Sequence, residues 1–252
     1  MLPPIALQTY TLRDALASDF AGVMRRVAQI GYVGVEPSLG VLGASVEKAA
    51  RLFKELGLQV PSMHAALPLG KDQQEVLEAA AAFGCARVIS GKGPDAFRTP
   101  DLIRQACEQF NQAAAVARAQ GLAFGLHNHW WEFECLDGRT VLDIMLEHLD
   151  PDIFFQIDTY WVRVAGADPA AVIRQLGARA PLLHIKDGPG TKEAPMVAAG
   201  SGIMDFPAIA RAGAGTVEWM IIEMDRCATD MMEAVEASYR YMTSAGLACG
   251  NA

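Results

Sequence analysis

A CxxC pair, a glycine-rich phosphate loop and an apolar run long enough to span a bilayer are all missing from this 252-residue chain. Each absence removes a class of protein. The five cysteines (85, 107, 135, 227 and 249) are scattered and odd in number, which argues against a disulfide framework and against a thiolate zinc site. No apolar run approaches the roughly 18 residues that a membrane span requires. The opening Met1-Leu2-Pro3-Pro4-Ile5 lacks the basic start and long apolar segment of a secretory signal, so a cytoplasmic location is expected.

Basic residues are also short. Lys and Arg number 21 against 29 Asp and Glu, a formal net charge of -8. Phosphate binding is dominated by Lys and Arg, so a nucleic-acid partner is disfavoured. No GxGxxG follows the first strand-like stretch and no Walker A loop occurs, which argues against a dinucleotide fold and a P-loop enzyme.

What is present is alternation. Hydrophobic residues make up 52% of the chain, enough for one large core, and a single domain over 1–252 is expected. Strand-like runs at 5–9, 32–36, 58–64, 86–90, 124–129, 153–158, 181–186 and 219–223 alternate with helical patterns at 19–29, 45–56, 72–83, 101–120, 139–149, 168–177, 206–213 and 229–244. Gly31, Gly57 and Gly121 stop helices, Ser45 starts one, and Pro61 weakens the third strand. Eight βα units with near-continuously apolar strands predict a closed (β/α)8 TIM barrel of the α/β class, with a doubly wound open sheet as the runner-up.

In such a barrel the site lies at the carboxyl ends of the strands. Six of the eight strands finish in ionisable groups: Glu36, His64, His127 with His129, Asp158, His184 with Lys186, and Glu223. His127 and His129 are two apart and project to one face. Strands five to eight supply His127, Asp158, His184 and Glu223, and neighbouring strands lie about 4.8 Å apart, so these four can converge on one divalent ion. Nitrogen and oxygen donors without thiolate suit Mn²⁺, Zn²⁺, Co²⁺, Fe²⁺ or Mg²⁺.

Glu223 can serve as ligand and as base, Lys186 as oxyanion partner or proton donor, and His129 as the group that returns a proton. Glu36 and His64, across the barrel from the metal, are expected to contact substrate hydroxyls, as is Glu132. Trp161, in the loop after strand six, offers an aromatic face to a sugar. Asp158 also has the position of a cap for the segment Thr159-Tyr160-Trp161. The long Gly- and Pro-containing loop at 188–202 has the length of a lid.

Several segments together carry a family resemblance. They are Gly31-Tyr32-Val33-Gly34-Val35-Glu36, His127-Asn128-His129 with Glu132-Phe133, Asp158-Thr159-Tyr160-Trp161-Val162, Leu183-His184-Ile185-Lys186-Asp187, Gly200-Ser201-Gly202-Ile203-Met204-Asp205-Phe206 and Ile222-Glu223-Met224-Asp225. The chain resembles the xylose-isomerase-like barrels, the sugar phosphate isomerase/epimerase group. That resemblance implies a divalent metal held by Glu, Asp, His and Glu from strands five to eight. Asp158, His184 and Glu223 match by position. The first ligand does not, because His127 stands where many relatives have Glu, which leaves His127, His129 or Glu132 as the strand-five donor.

The resemblance implies a small-molecule carbohydrate substrate and isomerisation or epimerisation through proton abstraction next to a carbonyl. Lyase or dehydratase chemistry on an oxidised sugar is the alternative, and a non-catalytic metal- or ligand-binding barrel is a third reading. The Met and Ala content of the last helix permits a homodimer.

Overall fold

The computed structural model describes residues 1–251. Eight parallel strands form the wall of a barrel: β1 (Ile5–Gln8), β2 (Gly34–Glu36), β3 (Met63–His64), β4 (Arg87–Ser90), β5 (Ala123–His127), β6 (Phe154–Asp158), β7 (Leu182–Ile185) and β8 (Trp219–Ile222). Ladders join every neighbouring pair except β2 and β3. That seam is closed by isolated bridges, Gly34 with Gln59 and Ser38 with His64, carried by Val35 N–H to Gln59 O (2.8 Å) and His64 N–H to Pro37 O (2.8 Å). The expected strand 58–64 is therefore only partly made. Pro61 has no N–H to give the ladder, so pairing breaks between Gln59 and Met63.

The helices are α1 (Arg13–Ile30), α2 (Val46–Glu55), α3 (Gln73–Phe83), α4 (Pro100–Ala119), α5 (Val141–His148), α6 (Thr159–Val164), α7 (Pro169–Leu176), α8 (Phe206–Ala212) and α9 (Met231–Ser244). Local chemistry sets their ends. Ser45 Oγ accepts from Lys48 N–H to start α2, and Thr140 with Asp143 forms a capping box on α5. Gly31 ends α1 at φ 116°, a left-handed conformation that favours glycine. The short α6 lies outside the periodicity-based expectations. None of the described helices is long and apolar enough to cross a membrane.

The two-residue period of a strand then sorts side chains into an outer and an inner set. Outward residues such as Leu7, Val35, Val88, Leu126, Ile157, Leu183 and Ile222 pack under the helices in the main core. Inward, a second apolar cluster of Ala6, Ile89, Phe154, Leu182, Trp219 and Ile221 plugs the lower barrel. Gly125 and Gly34 make the plug fit. A Cβ on Gly125 would fall 2.3 Å from the Phe154 ring, and one on Gly34 would fall 2.7 Å from the Trp219 ring. Above the plug, the next inward positions are polar: Gln8, Glu36, His127, Gln156 and His184, all buried. One step higher on the same strands come Asp158 and Lys186, and β8 is followed by Glu223. The site is thus a polar layer resting on an apolar plug.

Candidate active site

A cavity of about 840 Å³ opens above that layer, at the carboxyl end of the strands; His64, His127, His129, Lys186, Glu223 and Asp225 form its chemically active wall. His127, Asp158, His184 and Glu223 each present a donor atom, and these four atoms lie within 4.8 Å of one another. Register explains the convergence. Asp158 pairs with His184 across β6 and β7, and His184 pairs with Ile221, two residues before Glu223.

Asp158 has two jobs. Its Oδ1 accepts from Trp161 N–H (3.0 Å) as the cap of α6. Its Oδ2 is a buried atom without a hydrogen-bond partner. That oxygen stands 3.0 Å from Lys186 Nζ, an ion pair not aligned as a hydrogen bond, and 3.8 Å from His127 Nε2. Asn128 holds the end of β5 against β6, its Oδ1 accepting from Asp158 N–H (2.9 Å). Burial raises the Asp158 carboxyl to about 6 despite the nearby Lys186.

His184 is held from both sides, Nδ1 at 2.6 Å from Glu223 Oε2 and Nε2 at 2.7 Å from Glu36 Oε1. Burial alone would lower it, but the two glutamates outweigh burial and raise it to about 10. A carboxylate behind a histidine ligand is the arrangement that fixes ring orientation in metal sites. Lys186 Nζ lies 2.8 Å from Glu223 Oε2 and 2.9 Å from Asp225 Oδ2. Burial works against its charge, but Asp158, Glu223 and Asp225 overcome that and raise its pKa, so it remains an ammonium. Burial likewise opposes the Glu223 charge, and Lys186 and His184 overcome it, lowering the carboxyl well below its usual range.

His127 and His129 are both held neutral. Burial is the main cause, joined for His127 by His184 and for His129, lowered to about 3, by Lys186. The His129 ring stacks on Trp131 at 4.1 Å between centroids, and its Nδ1 is buried without a partner.

The donor set fits a divalent transition ion. Imidazole, once His184 gives up its proton, and carboxylate are suitable ligands. Asp158 Oδ2 is a buried acceptor without a hydrogen-bond partner, and three carboxylates (Asp158, Glu223 and Asp225) face Lys186 while Glu36 pairs with His184.

Three expected substrate contacts are placed elsewhere. Glu36 is fully buried below the cavity, and its oxygens are occupied by Gln8 Nε2 (2.7 Å), Gln156 Nε2 (2.6 Å), His184 and Ser62 Oγ. Burial would raise its pKa, but His64 and His184 lower it to about 2. Glu132 is buried, accepts from His129 N–H (2.8 Å), and faces a small apolar void beside Phe155 and Met145. Trp161 is 5% exposed and packs against Trp130 at 4.9 Å, with its ring 5.5 Å from Lys186 Nζ. None of the three lines the cavity. His64 does. Gln156 and Asp225 belong to the site and were not singled out from sequence. The signal for Gln156 was an amide in the otherwise apolar run 153–157; Asp225, beyond its strand, appeared only within the resemblance segment 222–225 and was given no role.

The xylose isomerase-like TIM barrel family model matches residues 24–244. Among curated proteins none matches the chain in sequence. A sugar phosphate isomerase/epimerase of Parabacteroides distasonis superposes with a TM-score of 0.82 at 23% identity, covering 99% of this chain and 96% of its own. The probable 3-DHS dehydratase AsbF of Bacillus anthracis gives 0.73 at 14% identity, with 95% and 98% covered. An IOLI protein with a bound zinc atom gives 0.68 at 13% identity, with 97% and 98% covered. At these identities the likeness establishes the barrel, not the chemistry.

Proposed function

The chain belongs to the xylose isomerase-like TIM barrel family, and from that premise we propose that it is a divalent-metal-dependent isomerase or epimerase of a sugar or keto-sugar. The observation that carries the proposal is the meeting of His127, Asp158, His184 and Glu223, of which His127 and Glu223 line the cavity. These four would hold the ion, with His127 as the strand-five donor because its ring lines the cavity within reach of the other three. When bound, the ion polarises a carbonyl and an adjacent hydroxyl and stabilises the charge that develops on oxygen.

The chain's own groups then handle the proton. Glu223, ionised and at the cavity wall, takes it from the carbon beside the carbonyl. Lys186, held as an ammonium, donates a hydrogen bond to the developing oxyanion. Lys186, the charged acid on the same wall, also returns a proton to carbon and is restored by the protonated Glu223 2.8 Å away. His129, held neutral, hydrogen-bonds the substrate. His64 binds a substrate hydroxyl.

One observation favours a second outcome from the same carbanion. Lys186 Nζ and Glu223 Oε2 are 2.8 Å apart, so an acid and a base stand on one side of the cavity. That pairing suits removal of a proton and a neighbouring hydroxyl from one face, a dehydration of an oxidised sugar. The descriptions of two structural relatives, one an isomerase/epimerase and one a probable dehydratase, are compatible with either outcome.

The test combines elemental analysis of the purified protein with deuterium exchange from heavy water into ketoses and sugar acids, followed by proton NMR. Near-stoichiometric metal and exchange at the carbon beside the carbonyl are expected, and Glu223→Gln should lower exchange by about 10²–10⁴-fold. Full exchange by metal-free protein would refute the site. Ligand binding without exchange or elimination would favour the non-catalytic barrel.

A further inference from the structure

Gln156 stands at the crossing point of the buried polar layer, between Glu36 and two histidines. It is completely buried and projects inward from the middle of β6. Its Nε2 stands 2.6 Å from Glu36 Oε2. Its Oε1 stands 2.6 Å from His64 Nε2 and 3.1 Å from His127 Nδ1.

The orientation of this amide is not free. A carboxylate such as Glu36 can only accept, so the amide nitrogen must face it. The amide oxygen then faces both imidazoles, and an oxygen of this kind can also only accept. Each ring nitrogen it touches must therefore carry a hydrogen. For His64 the same conclusion comes from Glu36 Oε1, 3.3 Å from the same Nε2.

A neutral imidazole has one N–H and one lone pair, and the partner of the first nitrogen decides where the second points its lone pair. His127, with its proton on Nδ1, presents a bare Nε2, the nitrogen 3.8 Å from Asp158 Oδ2 in the four-donor cluster. His64, with its proton on Nε2, presents a bare Nδ1 from a side chain 22% exposed at the cavity wall.

We propose that Gln156 is the positioning residue of this site, fixing opposite tautomers on His127 and His64 so that one lone pair is offered to the metal and the other to the substrate. The metal half of this assignment rests on the function proposed above; the tautomers do not. A free histidine side chain in water prefers its proton on Nε2, so His127 is held in the less favoured form. Glu36 acts one step further back, since it orients the amide that orients the rings.

The test is long-range proton–nitrogen NMR of the metal-free protein labelled with ¹⁵N-histidine, with His64→Asn and His127→Asn used to assign the signals. In the wild type, His127 should show a pyrrole-type Nδ1 and a pyridine-type Nε2, and His64 the reverse. Gln156→Met keeps the length of the side chain and removes both amide functions. In it His127 should move toward the Nε2–H form, and Zn²⁺ affinity, measured against a chelating dye, should fall about 10–100-fold.

A wild-type spectrum with the proton on His127 Nε2 would overturn the assignment, even if Gln156→Met failed to fold. So would a folded Gln156→Met protein with an unchanged spectrum. A wild type that takes up no Zn²⁺ but shows the stated tautomers would sink the metal reading and leave Gln156 in its role.

Discussion

Glu132 is a carboxyl whose charge the fold disfavours. It is buried against apolar neighbours, and burial raises its carboxyl to about 8, only partly offset by the His129 N–H and its own backbone. An acid with a higher pKa folded than unfolded keeps its proton more firmly in the native state. Its contribution to stability is therefore best below the ordinary value of 4.5 and declines as pH rises, levelling off above about 8. By pH 7 the loss is on the order of 3 kcal/mol. Glu132→Gln keeps an oxygen for His129 N–H and removes the titration. Denaturant unfolding should show variant and wild type nearly equal near pH 4, with the variant ahead by on the order of 3 kcal/mol at pH 7. A difference that does not change with pH would show that Glu132 is ionised in the native protein. From sequence alone Glu132 looked like a polar contact at a strand end, because nothing in the letters reveals that the turn Trp131–Phe133 folds it inward.

At the scale of elements, the loop after β7 is built around one carboxylate. Asp187 is buried, and its oxygens accept from Gly188 N–H (2.9 Å), Gly200 N–H (3.0 Å), Gly202 N–H (2.9 Å) and Met204 N–H (3.2 Å). The sequence showed a long Gly- and Pro-containing loop with the length of a lid. What it did not show is that the residue next to Lys186 ties the loop's far end back to the barrel. Gly202 is required there, since a Cβ would fall 2.1 Å from Asp187 Oδ1. A buried charged acceptor is worth about 1.5–3 kcal/mol per hydrogen bond, and bonds sharing one carboxylate do not add. Asp187→Ala should therefore cost on the order of 3 kcal/mol. Hydrogen exchange should accelerate at Gly200, Gly202 and Met204 while the amides of β7 stay protected. Uniform acceleration across the barrel would mean that Asp187 supports the whole fold and not this loop. Element existence was legible because apolar strands and helical faces repeat with clear periods. Boundaries failed where a local rule intervened, as at Pro61 just before β3, or where capping by Asp158 began α6 directly from the strand.

Across the whole molecule, the eightfold βα alternation and the ionisable strand ends were enough to foresee a barrel with donors at one mouth. Depth within the barrel was not legible. Glu36 and Asp158 both end strands, yet the first lies in the buried polar layer beneath His184 and the second joins the four-donor cluster, a difference set by strand stagger that no single strand encodes. The same stagger makes the proposed ion a tie between β5, β6, β7 and the end of β8, while the β2–β3 seam on the far side is held by isolated bridges. An ion that binds only the folded state at 100 times its Kd adds about 2.7 kcal/mol of stability. For a chain of this size that corresponds to a rise in Tm of roughly 5–10 °C, reversed by chelation. The gain should be distributed unevenly. Amides of β5 to β8 that exchange by local opening should slow on metal addition, whereas Val35 and His64 at the seam should change only to the extent that their exchange needs global unfolding. Equal slowing at the seam would place the ion somewhere other than among residues 127, 158, 184 and 223, because a tie on one side of a barrel cannot restrain a local opening on the other.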